Sequence, residues 1–354
     1  MVRVLLTGAG GSAAYNFCDA LKLVKNDLYI VGTDAKKYHL ELMNIDKKYL
    51  VPPVTDPEYV PAINKIIEQE QIDFLHPQPD VEVAFWAKNT DKIKAKTFLP
   101  ANKEVELCHD KMKFNTVLKE KGVAVPDAFH ITDKANLEAS LKKLLKDHPK
   151  VWIRAIRGAG SRASLPVDSF YQADAWIDYW NHFRGLNYPD FMISEFLPGH
   201  EYAWQSLWYE GKLISAQARE RIEYIFGNLT PSGQTSSPSV AKTVNRDDIN
   251  EIGQAAVRAT SDKPHGVYCV DMKEGVDGVP KVTEINIGRF FTTSNFFAHA
   301  GLNMPAMYLE LGMTGKLEKK PQQLNALPDD LYWVRMIDMG FKLVKEGEWE
   351  STQA

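Results

Sequence analysis

Short apolar runs alternate with stretches of helical periodicity over the first hundred residues. VRVLLT (2–7), LYIVGTD (28–34) and IDFLHP (72–77) read as strands, rich in apolar residues and bounded by glycine, proline or charge. Between them, 13–25, 57–70 and 81–89 carry apolar residues at helical spacing. Strand–helix alternation predicts a doubly wound α/β sheet, closed by FLPAN (98–102).

The pattern then changes. HDKMKFNTVLKEKG (109–122) predicts a helix with Asp110 as N-cap and Gly122 just past its end, and a second helix covers 136–146. VWIRAIRGAGSRASLPV (151–167) reads as two strands joined by a glycine-containing loop. FMISEFLPG (191–199), EYAWQSLWYEGK (201–212) and KLISAQARER (212–221) read as antiparallel strands, followed by a helix over 247–262. GVYCVDMKEGVDGVPKVTEINIG (266–288) reads as a hairpin, and DLYWVRMIDMG (330–340) as one strand folding back. Without repeats or low-complexity linkers, the units are expected to pack together. The expected boundaries are 1–102, 103–195, 196–315 and a tail, 316–354.

Composition narrows the function classes. The chain has 354 residues, 44% hydrophobic and 25% charged, with net charge −4, which gives no reason to expect nucleic acid or an acidic membrane surface. Three separated cysteines without a CxxC pair point to a reducing compartment and neither a disulfide framework nor a thiolate zinc site. No apolar run approaches membrane-span length, and the N-terminus enters a strand at once, so a cytoplasmic protein without signal peptide is expected.

The hairpin carries the strongest local inference. Asp277-Gly278 is a favoured two-residue turn. Centring the hairpin there sets Asp271 opposite Glu284 and Cys269 opposite Asn286, with Glu284 and Asn286 on one face. Two carboxylates facing each other across a sheet repel. A hard cation between them, Mg²⁺ or Mn²⁺, resolves the conflict; a solvated hairpin screened by salt and lysine is the bland alternative. Arg289, just beyond, is placed to hold a terminal phosphate. Arg154 lies in a strand where an unpaired charge is costly, and Gly158, Gly160 and Ser161 supply a loop whose N–H groups could cover phosphates, or an ordinary hairpin loop.

Taken together, DKMKF, WIRAIRGAGS, ISEFLPGHE, VDMKE and TEINIGR follow the order and spacing of the ATP-grasp superfamily. The chain most closely resembles its carbamoyl-phosphate-synthetase-large-chain-like branch, over residues 1 to about 315. The resemblance implies a Rossmann-like N-terminal domain followed by an ATP-grasp fold of two α+β subdomains. It also implies that Lys111 and Arg154 contact nucleotide phosphates, that Glu195, Phe196 and Leu197 form the adenine hinge, and that Glu201 takes the ribose. Asp271, Glu284 and Asn286 would hold Mg²⁺, and Arg289 would face the γ-phosphate and the acyl phosphate. Asp271 departs from the glutamine common in the synthetase, and its thirteen-residue spacing to Glu284 is similar to that of D-alanine ligases. With one ATP-grasp unit and no glutaminase, the chain is not expected to make carbamoyl phosphate.

The N-terminal VLLTGAGGSAAYNF (4–17), followed by Asp34 at the end of the next strand, contains elements of a dinucleotide fingerprint, but Ala13 stands at its third glycine. A tight turn on the substrate side is the preferred reading. Arg219 and Arg221 share a strand face and could clamp a substrate carboxylate, or form a salt-bridged surface pair. Asp80 is either a cleft residue or a helix cap. Trp152, Trp176, Trp180, Trp204 and Trp208 are expected to be packing residues, and His265 a structural one.

The expected function is an ATP- and Mg²⁺-dependent ligase joining a small carboxylate to an amine through an acyl phosphate, a homodimer being one allowed assembly. The rivals are a small-molecule kinase, a nucleotide-binding module without turnover, and an NAD-binding protein.

Overall fold

In the computed structural model, which describes residues 1–345 except 25–26, 159–162, 231, 236 and 338–339, the predicted alternation becomes three sheets. The first is parallel, in the order β3-β2-β1-β4, built from β1 (Val2–Thr7), β2 (Leu28–Asp34), β3 (Lys47–Leu50) and β4 (Phe74–Pro77). Helices α1 (Ser12–Lys22), α2 (Lys37–Glu41), α3 (Tyr59–Gln69) and α4 (Asp80–Lys88) alternate with these strands. Consecutive Val4, Leu5 and Leu6 are fully buried because both faces of a parallel sheet are covered. Leu5 packs with Ile63 and Ile67; Val4 and Leu6 pack with Phe17 and Leu21. The short α2 and β3 are absent from the sequence expectation. β3 reads KKYL, largely exposed, and lysines guard such an edge against further pairing.

Two helices follow, α5 (Asn102–Cys108) and α6 (Lys111–Glu120). Asp110 caps α6, its side chain accepting from the Lys113 N–H at 3.0 Å. The small sheet, β5-β8-β6-β7, comprises β5 (Ala128–His130), β6 (Val151–Ala155), β7 (Leu165–Val167) and β8 (Phe191–Glu195). Helices α7 (Lys134–Leu144) and α8 (Phe170–Arg184) cover it around Ile153, Ile193, Leu141 and Ile177.

The large sheet has seven strands in the order β13-β12-β9-β10-β11-β14-β15. Its elements are β9 (Glu201–Tyr209), β10 (Lys212–Tyr224), β11 (Pro238–Val244), β12 (Gly266–Glu274), β13 (Pro280–Ile287), β14 (Leu331–Met336) and β15 (Gly340–Lys345), with α9 (Asp247–Thr260), α10 (Asn295–His299) and α11 (Met304–Thr314). The tail thus adds two strands where one was expected. Phe114 and Leu118 of α6 join Trp204 and Val257 in this sheet's core, so the linking helix packs with the large sheet's core. A second core joins the first and third sheets: Phe74, Tyr308, Leu207 and Val267 belong to one cluster. Among the described residues, no helix is long and apolar enough to cross a membrane.

Candidate functional site

The three sheets meet around a cleft of about 1420 Å³. The hairpin lies on its wall with the register expected at the acids: Asp271 pairs with Glu284 and Cys269 with Asn286. The turn itself differs. Gly275 and Val279 bracket a three-residue loop, with the Gly278 N–H donating to the Gly275 carbonyl at 3.1 Å and Gly278 at φ +72°. A bulge between Asp271 and Met272 pairings, at Thr283, then returns the strands to the expected pairing. The loop shifts the register by one residue, and the bulge shifts it back.

Each carboxylate on this wall faces cations. An Arg154 Nη2–H donates to Glu284 Oε2 at 2.6 Å, and Lys111 Nζ lies 3.9 Å from the same oxygen. Burial pushes the Glu284 carboxyl up, but Arg154 and Lys111 outweigh it and hold the group down at about 2. Arg221 bridges two acids, donating to Asp271 Oδ1 at 2.7 Å and to Glu201 Oε1 at 2.7 Å. At Asp271 burial wins over Arg221 and raises the pKa. Asn286 donates to Asp271 Oδ2 at 3.2 Å and accepts from Arg289 at 2.6 Å. Among the described residues no three His, Cys, Asp or Glu side chains gather into a metal cluster. The candidate donors are two carboxylates and one amide. Oxygen-only ligands and a buried carboxylate in need of positive charge fit a hard divalent cation.

Solved structures of this architecture are numerous. The L-amino acid ligase from Bacillus licheniformis superposes with a TM-score of 0.67 at 14% identity, over 94% of this chain and 79% of that one. The biotin carboxylase domain of Hydrogenobacter thermophilus 2-oxoglutarate carboxylase, a dimer in complex with MgADP, ADP and bicarbonate, gives 0.70 at 14% identity, over 94% and 73%. N5-carboxyaminoimidazole synthetase from Staphylococcus aureus, complexed with ADP, gives 0.70 at 11% identity, over 95% and 82%. The chain has an ATP-grasp fold. Residues 4–99 also match the family model described as PylC-like, N-terminal domain. No curated protein matches it.

The remaining expected ATP-grasp residues fall as follows. Lys111, at the first position of α6, is buried and donates to the Gly158 carbonyl at 2.7 Å; burial pulls its pKa down against the opposing pull of Glu284. Gly158, with φ +108°, lines the cleft; Gly160 and Ser161 lie outside the described residues. Glu195, the last residue of β8, and Phe196 and Leu197 on the connection leaving it line the cleft too. The Glu195 carboxylate accepts from Lys281 at 2.6 Å and from the Asp127 N–H at 3.1 Å. Glu201 accepts from Arg221, from the Tyr224 hydroxyl and from Gln234 at 2.7 Å.

The paired clamp requires correction. Arg219 and Arg221 do share a face, but only Arg221 lines the cleft. Arg219 is 1% exposed, stacked 3.8 Å from the centre of the Phe291 ring, and two of its nitrogens have no hydrogen-bond partner. Burial, with Arg221 nearby, pulls its guanidinium down to about 9. Trp204 and Trp208 are fully buried as expected, whereas Trp152 lines the cleft beside Phe196. Phe296 stacks on Trp333 within the core shared by the first and third sheets.

Asp80 is resolved in favour of the cleft. It opens α4 and binds Arg289 with both oxygens, one contact at 3.1 Å, across 209 positions of sequence. The glycine-rich turn forms the opposite wall through Gly8, Gly11, Ser12 and Ala13. Asp34, the acid of the dinucleotide reading, is spent locally: its carboxylate accepts from the Gly10 N–H at 2.9 Å and the Lys36 N–H at 2.8 Å. Lys273, Tyr224 and His109 also line the cleft; Lys273 falls within the VDMKE motif but had no role of its own there, and Tyr224 and His109 sit in no motif.

Proposed function

We propose that this chain is an ADP-forming ligase that activates a small carboxylate as an acyl phosphate and passes it to an amine. The observation that carries the reading is the charge layout of one cleft: Asp271 and Glu284 face each other, with Arg154, Lys111, Arg221 and Arg289 arrayed around them. That array suits a polyanionic nucleotide, whose transfer chemistry asks mainly for positioning and charge neutralisation.

Lys111 and Arg154 take the phosphates, releasing part of their hold on Glu284. The 195–197 connection and Trp152 contact the adenine, and Glu201 meets the ribose hydroxyls. Asp271, Glu284 and Asn286 hold Mg²⁺, which when bound screens phosphate charge. Arg289, oriented by Asp80, faces the acyl phosphate. Arg221 is the arginine of the original pair that can meet a substrate carboxylate. The relatives named above, a ligase of L-amino acids and enzymes co-crystallised with ADP, support this reading of substrate type and product.

The test is a screen of the twenty L-amino acids and small carboxylates for stimulated ADP release, with hydroxylamine as nucleophile. ADP together with a hydroxamate is expected. AMP and pyrophosphate, or a stable phosphorylated product indifferent to any amine, would overturn the reading.

A further inference from the structure

Joining an amine to an acyl phosphate requires something to accept the amine's proton, and the described cleft residues leave few groups free to do so. The carboxylates of Asp80, Glu195, Glu201, Asp271 and Glu284 each hold an arginine or lysine. Glu106 accepts from the Asn102 amide at an exposed position. One proton acceptor in the cleft has no partner. His109 lines it, makes no hydrogen bond or ion pair among the described residues, and has Nε2 shielded from solvent.

Its place in the chain suits a role in the second half of the reaction. His109 follows the last residue of α5 and immediately precedes Asp110, the cap that sets Lys111 at the start of α6. The charges of Lys111, Arg157, Asp80 and Arg289 all act on its imidazole. The ring thus shares one cleft with Lys111 and Arg154, assigned to the nucleotide phosphates, and with Arg289, assigned to the acyl phosphate. Burial first, then the charges of Lys111, Arg289 and Arg157, lower its pKa against the opposing pull of Asp80, so the ring is neutral at pH 7. An arriving polyanion offsets those three cations and makes the neutral imidazole a better proton acceptor.

Resting on the ligase reading, we propose that His109 is the general base of amide formation. The amine nitrogen bonds to the acyl carbon, the bond from that carbon to the phosphate oxygen breaks, and phosphate departs with the bonding pair. The proton lost by nitrogen passes to the unprotonated ring nitrogen of His109 and then to solvent. The preceding phosphoryl transfer needs no such base, because a carboxylate is already an anion.

The two half-reactions therefore separate in the His109→Gln and His109→Asn variants. The probe is the L-amino acid that yields most hydroxamate with the unmodified protein, followed in single turnover for both ADP and hydroxamate. We expect the ADP phase to stay within about twofold and hydroxamate formation to fall on the order of 10²-fold, with loss of its acid limb and partial rescue by added imidazole. Unchanged hydroxamate rates, or an equal fall in both phases, would overturn the assignment. Absence of any carboxylate-dependent ADP in the unmodified protein would instead overturn the ligase reading. Independently of turnover, the His109 imidazole, identified by comparison with the variants, should titrate below its ordinary midpoint and move up when adenylyl imidodiphosphate and Mg²⁺ are added. A midpoint that ignores the nucleotide would also overturn the assignment.

Discussion

The two walls of the cleft are built from opposite materials. The N-terminal wall offers glycine, serine and alanine on the turn after β1, placed at the carboxyl end of a parallel sheet. The facing wall is antiparallel sheet, and it projects Arg221, Asp271, Glu284 and Asn286 from β10, β12 and β13. Backbone at the first wall allows close approach by a substrate. Side chains at the second supply charge, each acid matched by a cation at hydrogen-bond distance. Asp80 is the exception that joins them, an N-terminal acid gripping Arg289 of the charged wall. On the proposed ligase reading, the sheet would carry the reactivity and the turn the choice of acceptor.

The largest expected effect comes from striking the charged wall. Glu284→Gln or Asp271→Asn should lower turnover on the order of 10²-fold or more while circular dichroism stays unchanged, because a charged ligand is replaced by a near-isostere. Normal turnover in both variants at limiting Mg²⁺ would show that this wall does not carry the reaction. Arg289→Ala should also lower kcat, by about 10²-fold, if it acts on charge developing during transfer.

Asp80→Asn tests the link between the walls. It keeps Arg289 but removes half of a charged, two-point contact, and a loss of about tenfold is expected. A loss as large as that of Arg289→Ala would make Asp80 a participant rather than an orienting group; steady-state rates for the three proteins decide.

Gly8→Ala addresses the backbone wall. Gly8 has φ +61°, and an added Cβ would stand 2.1 Å from Pro79 Cγ, so the turn must move. Overpacking of this kind costs about 1–3 kcal/mol, measurable as a lower urea midpoint. The Michaelis constant for the acceptor amine should rise more than kcat falls. An equal change in both would remove the assignment of acceptor choice to this wall.

The smallest effect is in pH dependence. Glu284 is held at about 2, below its usual 4.5, by Arg154 and Lys111 despite burial. Because the folded-state pKa is depressed, its contribution to stability is present above pH 4.5 and is lost as pH falls toward 2. Glu284→Gln should therefore flatten the acid limb of the stability curve in that window. An identical limb in both proteins would mean that the pair contributes nothing net.

Strand-and-helix alternation was enough to read three of the four strands of the parallel first sheet, whose buried faces leave continuous apolar runs such as Val4-Leu5-Leu6, but not the exposed edge strand KKYL. Strand periodicity likewise put Arg219 and Arg221 on one face, whereas the Asp271–Glu284 pairing read from the Asp277-Gly278 turn is met because a bulge offsets the longer loop. Local chemistry placed Asp110 as the cap of α6. Tertiary structure decided the rest. The hairpin's three-residue loop and compensating bulge depend on how its strands lie in a seven-stranded sheet, which a turn dipeptide does not encode. Arg219 and Arg221 are chemically equivalent in sequence, yet Phe291, 72 positions beyond Arg219, covers one while Glu201 and Asp271 engage the other. Asp80 and Arg289 meet across 209 positions, and His109 becomes a cleft residue only when the end of α5, the small sheet and the N-terminal sheet converge. Periodicity reports which face a residue is on; what stands opposite that face is set by long-range packing.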